Sequence, residues 1–77
     1  MIFVAKKKSS EATPFGRRLR EKRVAAGLSQ LALAEKIGML RPVIAKLETS
    51  PDANPTLDTI KSLAAALDVN PADLIAD

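Results

Sequence analysis

The glycine at position 38 constrains the fold more than any other residue. It divides two stretches that carry apolar residues at helical spacing: Leu33, Ala34 and Ile37 before it, Ile44 and Leu47 after it. Apolar residues three and four positions apart line one face of a helix. Ser29 opens the first stretch with a hydroxyl able to accept an orphan backbone N–H. Gly38 supplies the left-handed residue that ends it. The second helix is expected to start at Pro42, whose missing N–H would be unpaired there in any case. Arg41 precedes a proline, is biased out of the α region, and so fits the N-cap. The pattern is helix, tight turn, helix.

The second of these helices, about residues 42–49, has two unlike faces. At roughly 100° per residue, Ile44 and Leu47 point one way with Glu48 at their margin. Pro42, Lys46 and Thr49 point the other way, flanked by Arg41, Val43 and Ala45. The outward face starts with an arginine and carries a lysine one turn on. A recognition helix in the major groove of DNA needs such a face. An ordinary amphipathic helix with a solvated basic side has the same pattern.

Seventy-seven residues make one domain with a modest core. The chain has no cysteine and no histidine. Disulfides and thiol chemistry are therefore excluded, and a transition-metal site has no good ligands. There is no glycine-rich phosphate loop and no pair of inward carboxylates, so no catalytic constellation can be named, and neither an enzyme nor a cofactor is expected. Phe3 and Phe15 are the only aromatics, which argues against base-stacking platforms of the single-strand and RNA-binding kind. No apolar run approaches the ~18 residues of a membrane span. The N-terminus lacks the order of a signal peptide, with its few apolar residues placed before the lysines. A cytoplasmic protein is expected.

Charge is unevenly spread. Residues 1–50 hold eleven Lys/Arg against four Asp/Glu, a net of +7, and residues 51–77 hold one lysine against five aspartates, a net of −4. A basic first part suits a polyanionic partner on one side of the domain. A dipolar domain without such a partner would carry the same asymmetry.

Residues 1–12 form an N-terminal arm, and residues 13–77 the folded domain. In the arm, Ile2-Phe3-Val4 precedes Lys6-Lys7-Lys8. Three readings stand side by side: a mobile arm, a strand pairing with a partner chain, or lysines reaching DNA. Thr13-Pro14 then starts a helix to about Ala26, stopped by Gly27, with Phe15 and Leu19 on its buried side and Ala26 near its end. Leu28 anchors the link to the next helix, on which Leu31 faces outward. Thr49 to Pro55 is a loop by composition. Thr56 or Asn54 caps a helix to about Leu67, whose buried stripe is Leu57, Ile60, Leu63, Ala64 and Leu67. Asn70 caps a short last helix opened by Pro71, with Asp73 in its first turn. The total is five helices.

Several spaced segments together resemble the Cro/repressor family of helix-turn-helix DNA-binding domains, also called the xenobiotic-response-element family. They are Phe15-Gly16-Arg17-Arg18-Leu19-Arg20, Gly27-Leu28-Ser29-Gln30, Leu33-Ala34-Glu35-Lys36-Ile37-Gly38, Ile44-Ala45-Lys46-Leu47-Glu48, Pro55-Thr56-Leu57-Asp58-Thr59-Ile60 and Ala66-Leu67. The resemblance covers about residues 14–76. It implies an all-α fold, a compact five-helix bundle of the lambda-repressor-like type. It further implies a homodimer that binds a palindromic double-stranded operator and represses transcription.

Site residues follow from the same resemblance. Arg41, Pro42 and Val43 hold the positions that read base edges, with Lys46 one turn further along the same surface and able to serve bases or phosphate. Gln30 and Thr49 hold phosphate-contacting positions. Arg23 and Glu48 match a buried ion pair clamping the first helix to the third; two independent surface charges are the alternative. Dimerisation is expected around Val69, Leu74 and Ile75, which could equally complete the monomer core. The chain departs from the family pattern at Leu40-Arg41-Pro42, where a serine or threonine cap is usual. It departs again where proline and valine replace polar base readers. The third departure is Ser50-Pro51-Asp52-Ala53, which carries an acid where the family tends to hold phosphate. That loop is similar to those of some antitoxin repressors. With Leu31, Leu40, Val43 and the Ile2–Val4 segment, it keeps open an antitoxin or adaptor that mainly binds a protein partner such as a toxin.

Overall fold

The computed structural model describes residues 13–75. The N-terminal arm expected over residues 1–12, with its three readings, lies outside them. Among the described residues there are five helices and no strand: α1 (Pro14–Ala25), α2 (Gln30–Ile37), α3 (Arg41–Thr49), α4 (Leu57–Leu67) and α5 (Ala72–Ile75). The described residues form an all-α bundle.

Local chemistry sets most of the boundaries. The Gly16 N–H donates to Thr13 Oγ1 at 2.9 Å, and Pro14 opens α1. The Ala32 N–H donates to Ser29 Oγ at 2.9 Å, capping α2. The Thr59 N–H donates to Thr56 Oγ1 at 3.2 Å, so Thr56, rather than Asn54, caps α4. Each cap satisfies a donor that the helix itself leaves orphaned. Three helices end alike. Gly27, Gly38 and Asp68 adopt φ of 76°, 74° and 59°. The residue after each donates its N–H back, Leu28 to Arg23 O, Met39 to Ala34 O and Val69 to Ala64 O. This is the left-handed C-terminal closure that glycine adopts without strain.

The start of α3 differs from expectation. Leu40, not Arg41, is the N-cap, in extended conformation (φ −86°, ψ 144°) and without a side-chain capping bond. Arg41 is the first helical residue and Pro42 the second. A proline needs only a position whose N–H has no helical acceptor, and the whole first turn provides one. The bond from the Val43 N–H to Leu40 O (3.0 Å) closes that turn and outweighs the bias on Arg41.

Every helix gives the core one large, fully buried side chain: Leu19, Leu33, Ile44, Leu63 and Leu74. Burying an aliphatic side chain of this size contributes roughly 1.5–3 kcal/mol. Phe15, Ala34, Leu47, Ala64 and Leu67 fill the space between them. The helix α1 packs on α3 and α5, α2 packs on α3 and α4, and α4 also meets α5. Two residues expected inside are outside. Leu57 is 61% exposed in the first turn of α4, and Ala26 is exposed beyond the end of α1. Helical period fixes which side a residue faces, but not how far the neighbouring helix reaches along it.

Candidate nucleic-acid interface

The inward side of α3 fixes its outward side. Ile44, Leu47 and Glu48 are buried. Arg41, Pro42, Val43, Lys46 and Thr49 are exposed. Neither the Arg41 nor the Lys46 side chain has a bonding partner among the described residues. The four residues expected to face bases thus share one open surface whose only charges are cationic.

Two contacts hold α3 in place from below. The first is an ion pair to α1. Arg23 Nε donates to Glu48 Oε2 at 2.6 Å and Arg23 Nη2 to Glu48 Oε1 at 3.1 Å. The side chains are only 11% and 1% exposed, so they are not two independent surface charges. Arg23 Nη1 also donates to Leu28 O at 2.8 Å, which ties the α1–α2 turn into the same cluster. A two-pronged guanidinium–carboxylate pair fixes orientation as well as distance.

The second contact was not assigned from the sequence. Gly16 lies where α1 crosses the end of α3, and a Cβ there would sit 2.6 Å from Leu47 O and 2.8 Å from Glu48 O. Only a residue without a side chain lets the two backbones approach so closely. The available signal was a lone glycine inside a helical pattern, which marks close packing or a break.

The expected phosphate contacts carry additional bonds. Gln30 Nε2 donates to Glu48 Oε1 at 3.1 Å. One amide N–H of Gln30 is thereby used, and the second remains for another acceptor. Thr49 Oγ1 donates to Ala45 O at 2.8 Å, so its hydroxyl proton must turn away from the helix to meet a phosphate. Lys36, in the last turn of α2, donates to Ala66 O at 2.9 Å and joins α2 to the last turn of α4.

The expected dimerisation residues separate. Leu74 is fully buried, so of the two roles open to it, completing the monomer core is the one it fills, and it has no surface to offer a second chain. It is buried because α5 packs back on α1, and Leu74 is the side chain that fills the contact. Val69 is half-buried against the same core. Ile75 is exposed.

A helix-turn-helix whose second helix shows an open cationic face defines a class, the DNA-binding transcription regulators. The helix-turn-helix family model matches residues 19–74, and the chain belongs to that family, of the Cro/C1 type. The chain matches no curated protein. Among solved structures it is similar to the restriction-modification controller protein C.AhdI from Aeromonas hydrophila. The two are 44% identical over 80% of this chain and 92% of that one, with a TM-score of 0.74. It is also similar to SinR, a master regulator for biofilm formation solved in complex with DNA. That match is 30% identical over 79% and 97% of the two chains, with a TM-score of 0.75. A SinR–SinI protein complex contains a further similar chain, 28% identical over 82% of this chain and 61% of that one, with a TM-score of 0.76.

Proposed function

We propose that the protein is a dimeric, sequence-specific repressor that reads the major groove of a palindromic operator with α3. The observation that carries this reading is the division of α3, with Ile44, Leu47 and Glu48 buried and Arg41, Pro42, Val43 and Lys46 exposed. Arg41 is the residue able to make a bidentate contact to guanine. Lys46, Gln30 and Thr49 reach for phosphates, which supply most of the affinity and make it fall steeply with salt. Likeness to C.AhdI and to DNA-bound SinR supports the reading. Ile75 and the exposed edge of Val69 are the remaining candidates for the dimer contact.

The test is selection from a randomised duplex pool at two salt concentrations, with sedimentation of the free protein. An enriched inverted repeat, bound by two chains, is expected. A pool that emerges unenriched would overturn the reading.

One observation favours a second reading, an antitoxin or adaptor that mainly binds a protein. Leu31 is an exposed leucine on α2, and the SinR–SinI complex shows that a related domain also occurs bound to protein. A partner that stays bound at high salt, together with an unenriched DNA pool, would favour it.

A further inference from the structure

The first turn of α3 is poor in hydrogen-bond donors and rich in exposed apolar surface. Leu40, at the N-cap, is 73% exposed and Val43 is 39% exposed. Val43 stands at the third helical position, and both side chains are exposed at this end of the helix. The exposed Pro42 ring lies between them in sequence. Leu40 makes no side-chain capping bond. Pro42 has no N–H, and that of Val43 is already given to Leu40 O. Arg41 is the one side chain of this turn that can donate to a base.

An exposed apolar cluster calls for an occupant. Here Arg41 lies within the cluster and Lys46 one turn beyond it, so the occupant must be polyanionic yet present apolar groups at its surface. Duplex DNA meets both conditions. The thymine C5-methyl is the apolar group exposed in the major groove. We propose that Leu40, Pro42 and Val43 form a methyl-reading surface, and that part of the operator is recognised through thymine methyls rather than through hydrogen bonds. Leu40 thereby becomes a specificity-determining residue. The proposal rests on α3 entering the major groove and adds how it discriminates there.

Replacing thymine by deoxyuridine removes the methyl and leaves the pairing edge and the O4 acceptor intact. The experiment takes the duplex selected by the wild-type protein and substitutes each thymine of one half-site in turn. Binding is then measured for the wild type, Leu40→Ala and Val43→Ala. Both positions are exposed, and circular dichroism checks that the variants fold. At least one thymine should cost the wild type about fourfold in affinity, the worth of one buried methyl. The same substitution should cost Leu40→Ala or Val43→Ala less than twofold. Tight, sequence-selective binding indifferent to every deoxyuridine would overturn the methyl-reading surface and leave groove reading intact. Failure to select any duplex would overturn both.

Discussion

Gly16 and Leu47 meet backbone to backbone: a Cβ on Gly16 would stand 2.6 Å from the Leu47 carbonyl oxygen. The end of α3 is thus seated directly on α1, with no side chain of Gly16 between them. Glycine inside a helix normally costs ~1 kcal/mol relative to alanine, so propensity alone says that Gly16→Ala should stabilise. The contact says the opposite. A backbone carbonyl cannot move aside as a side-chain tip can, and overpacking of this kind costs about 1–3 kcal/mol. Urea unfolding should show a net loss of stability for Gly16→Ala. Because the shift falls on α3, DNA affinity should drop as well.

The pair between Arg23 and Glu48 gives a sharper test. Glu48→Ala leaves a guanidinium enclosed beside Leu28 O without its carboxylate, at a cost of roughly 3–5 kcal/mol. Replacing both partners with leucine removes the stranded charge and should cost clearly less than the sum of the two single changes. A double-mutant cycle in urea measures that coupling. Gln30 bonds to the same carboxylate, so Glu48→Ala should also free Gln30 and weaken DNA binding at a temperature where the variant remains folded.

Asp68 holds a φ of 59° at the end of α4. An L-residue there is strained by roughly 1–2 kcal/mol, less for aspartate than for most, and its negative charge sits at the unfavourable end of the helix dipole. Asp68→Gly removes both and loosens the unfolded chain. The net expectation is a gain of up to ~1 kcal/mol, seen as a Tm rise of about 4–8 °C for each kcal/mol in a domain of this size. DNA binding should be unchanged, since Asp68 lies away from α3.

Leu74 and Ile75 are adjacent in α5 and should respond in different ways. Leu74 is fully buried, so Leu74→Ala opens a core cavity and should lower stability by about 2–5 kcal/mol at any protein concentration. Ile75 is 54% exposed. Ile75 also lines a groove with Phe15 and Ile60, so Ile75→Asp should cost monomer stability about 1 kcal/mol, well below Leu74→Ala, and, on the proposed dimer, shift the monomer–dimer balance in sedimentation. If Ile75→Asp leaves the oligomeric state unchanged, Ile75 is not part of a dimer contact.

The sequence was informative wherever the determinant is local. Thr13, Ser29 and Thr56 are caps because of their own hydroxyls, and Gly27 and Gly38 are stops because of their own backbone freedom. The stripe through Ile44 and Leu47 follows from helical period alone, and it is enough to place Lys46 outside. What could not be read depends on where a second element lands. Gly16 stands in an ordinary helical run until α3 arrives on it. Leu57 continues an apolar stripe past the point where another helix covers it. Leu74 could have faced a second chain or its own core, and the packing of α5 on α1 decided it. Arg41 followed a sound steric rule for residues before proline, yet the first turn closed at Leu40 instead.

The most direct test of the central claim compares Arg41→Ala with Lys46→Ala on the selected operator and on each of its single-base-pair variants. Arg41→Ala should lose about 1–3 kcal/mol on the selected sequence and little on duplexes altered at the base pair it reads, so that discrimination there flattens. Lys46→Ala should weaken every duplex alike and reduce the salt slope by about one. An Arg41→Ala variant that loses the same affinity on every sequence would show that the exposed face of α3 does not read bases.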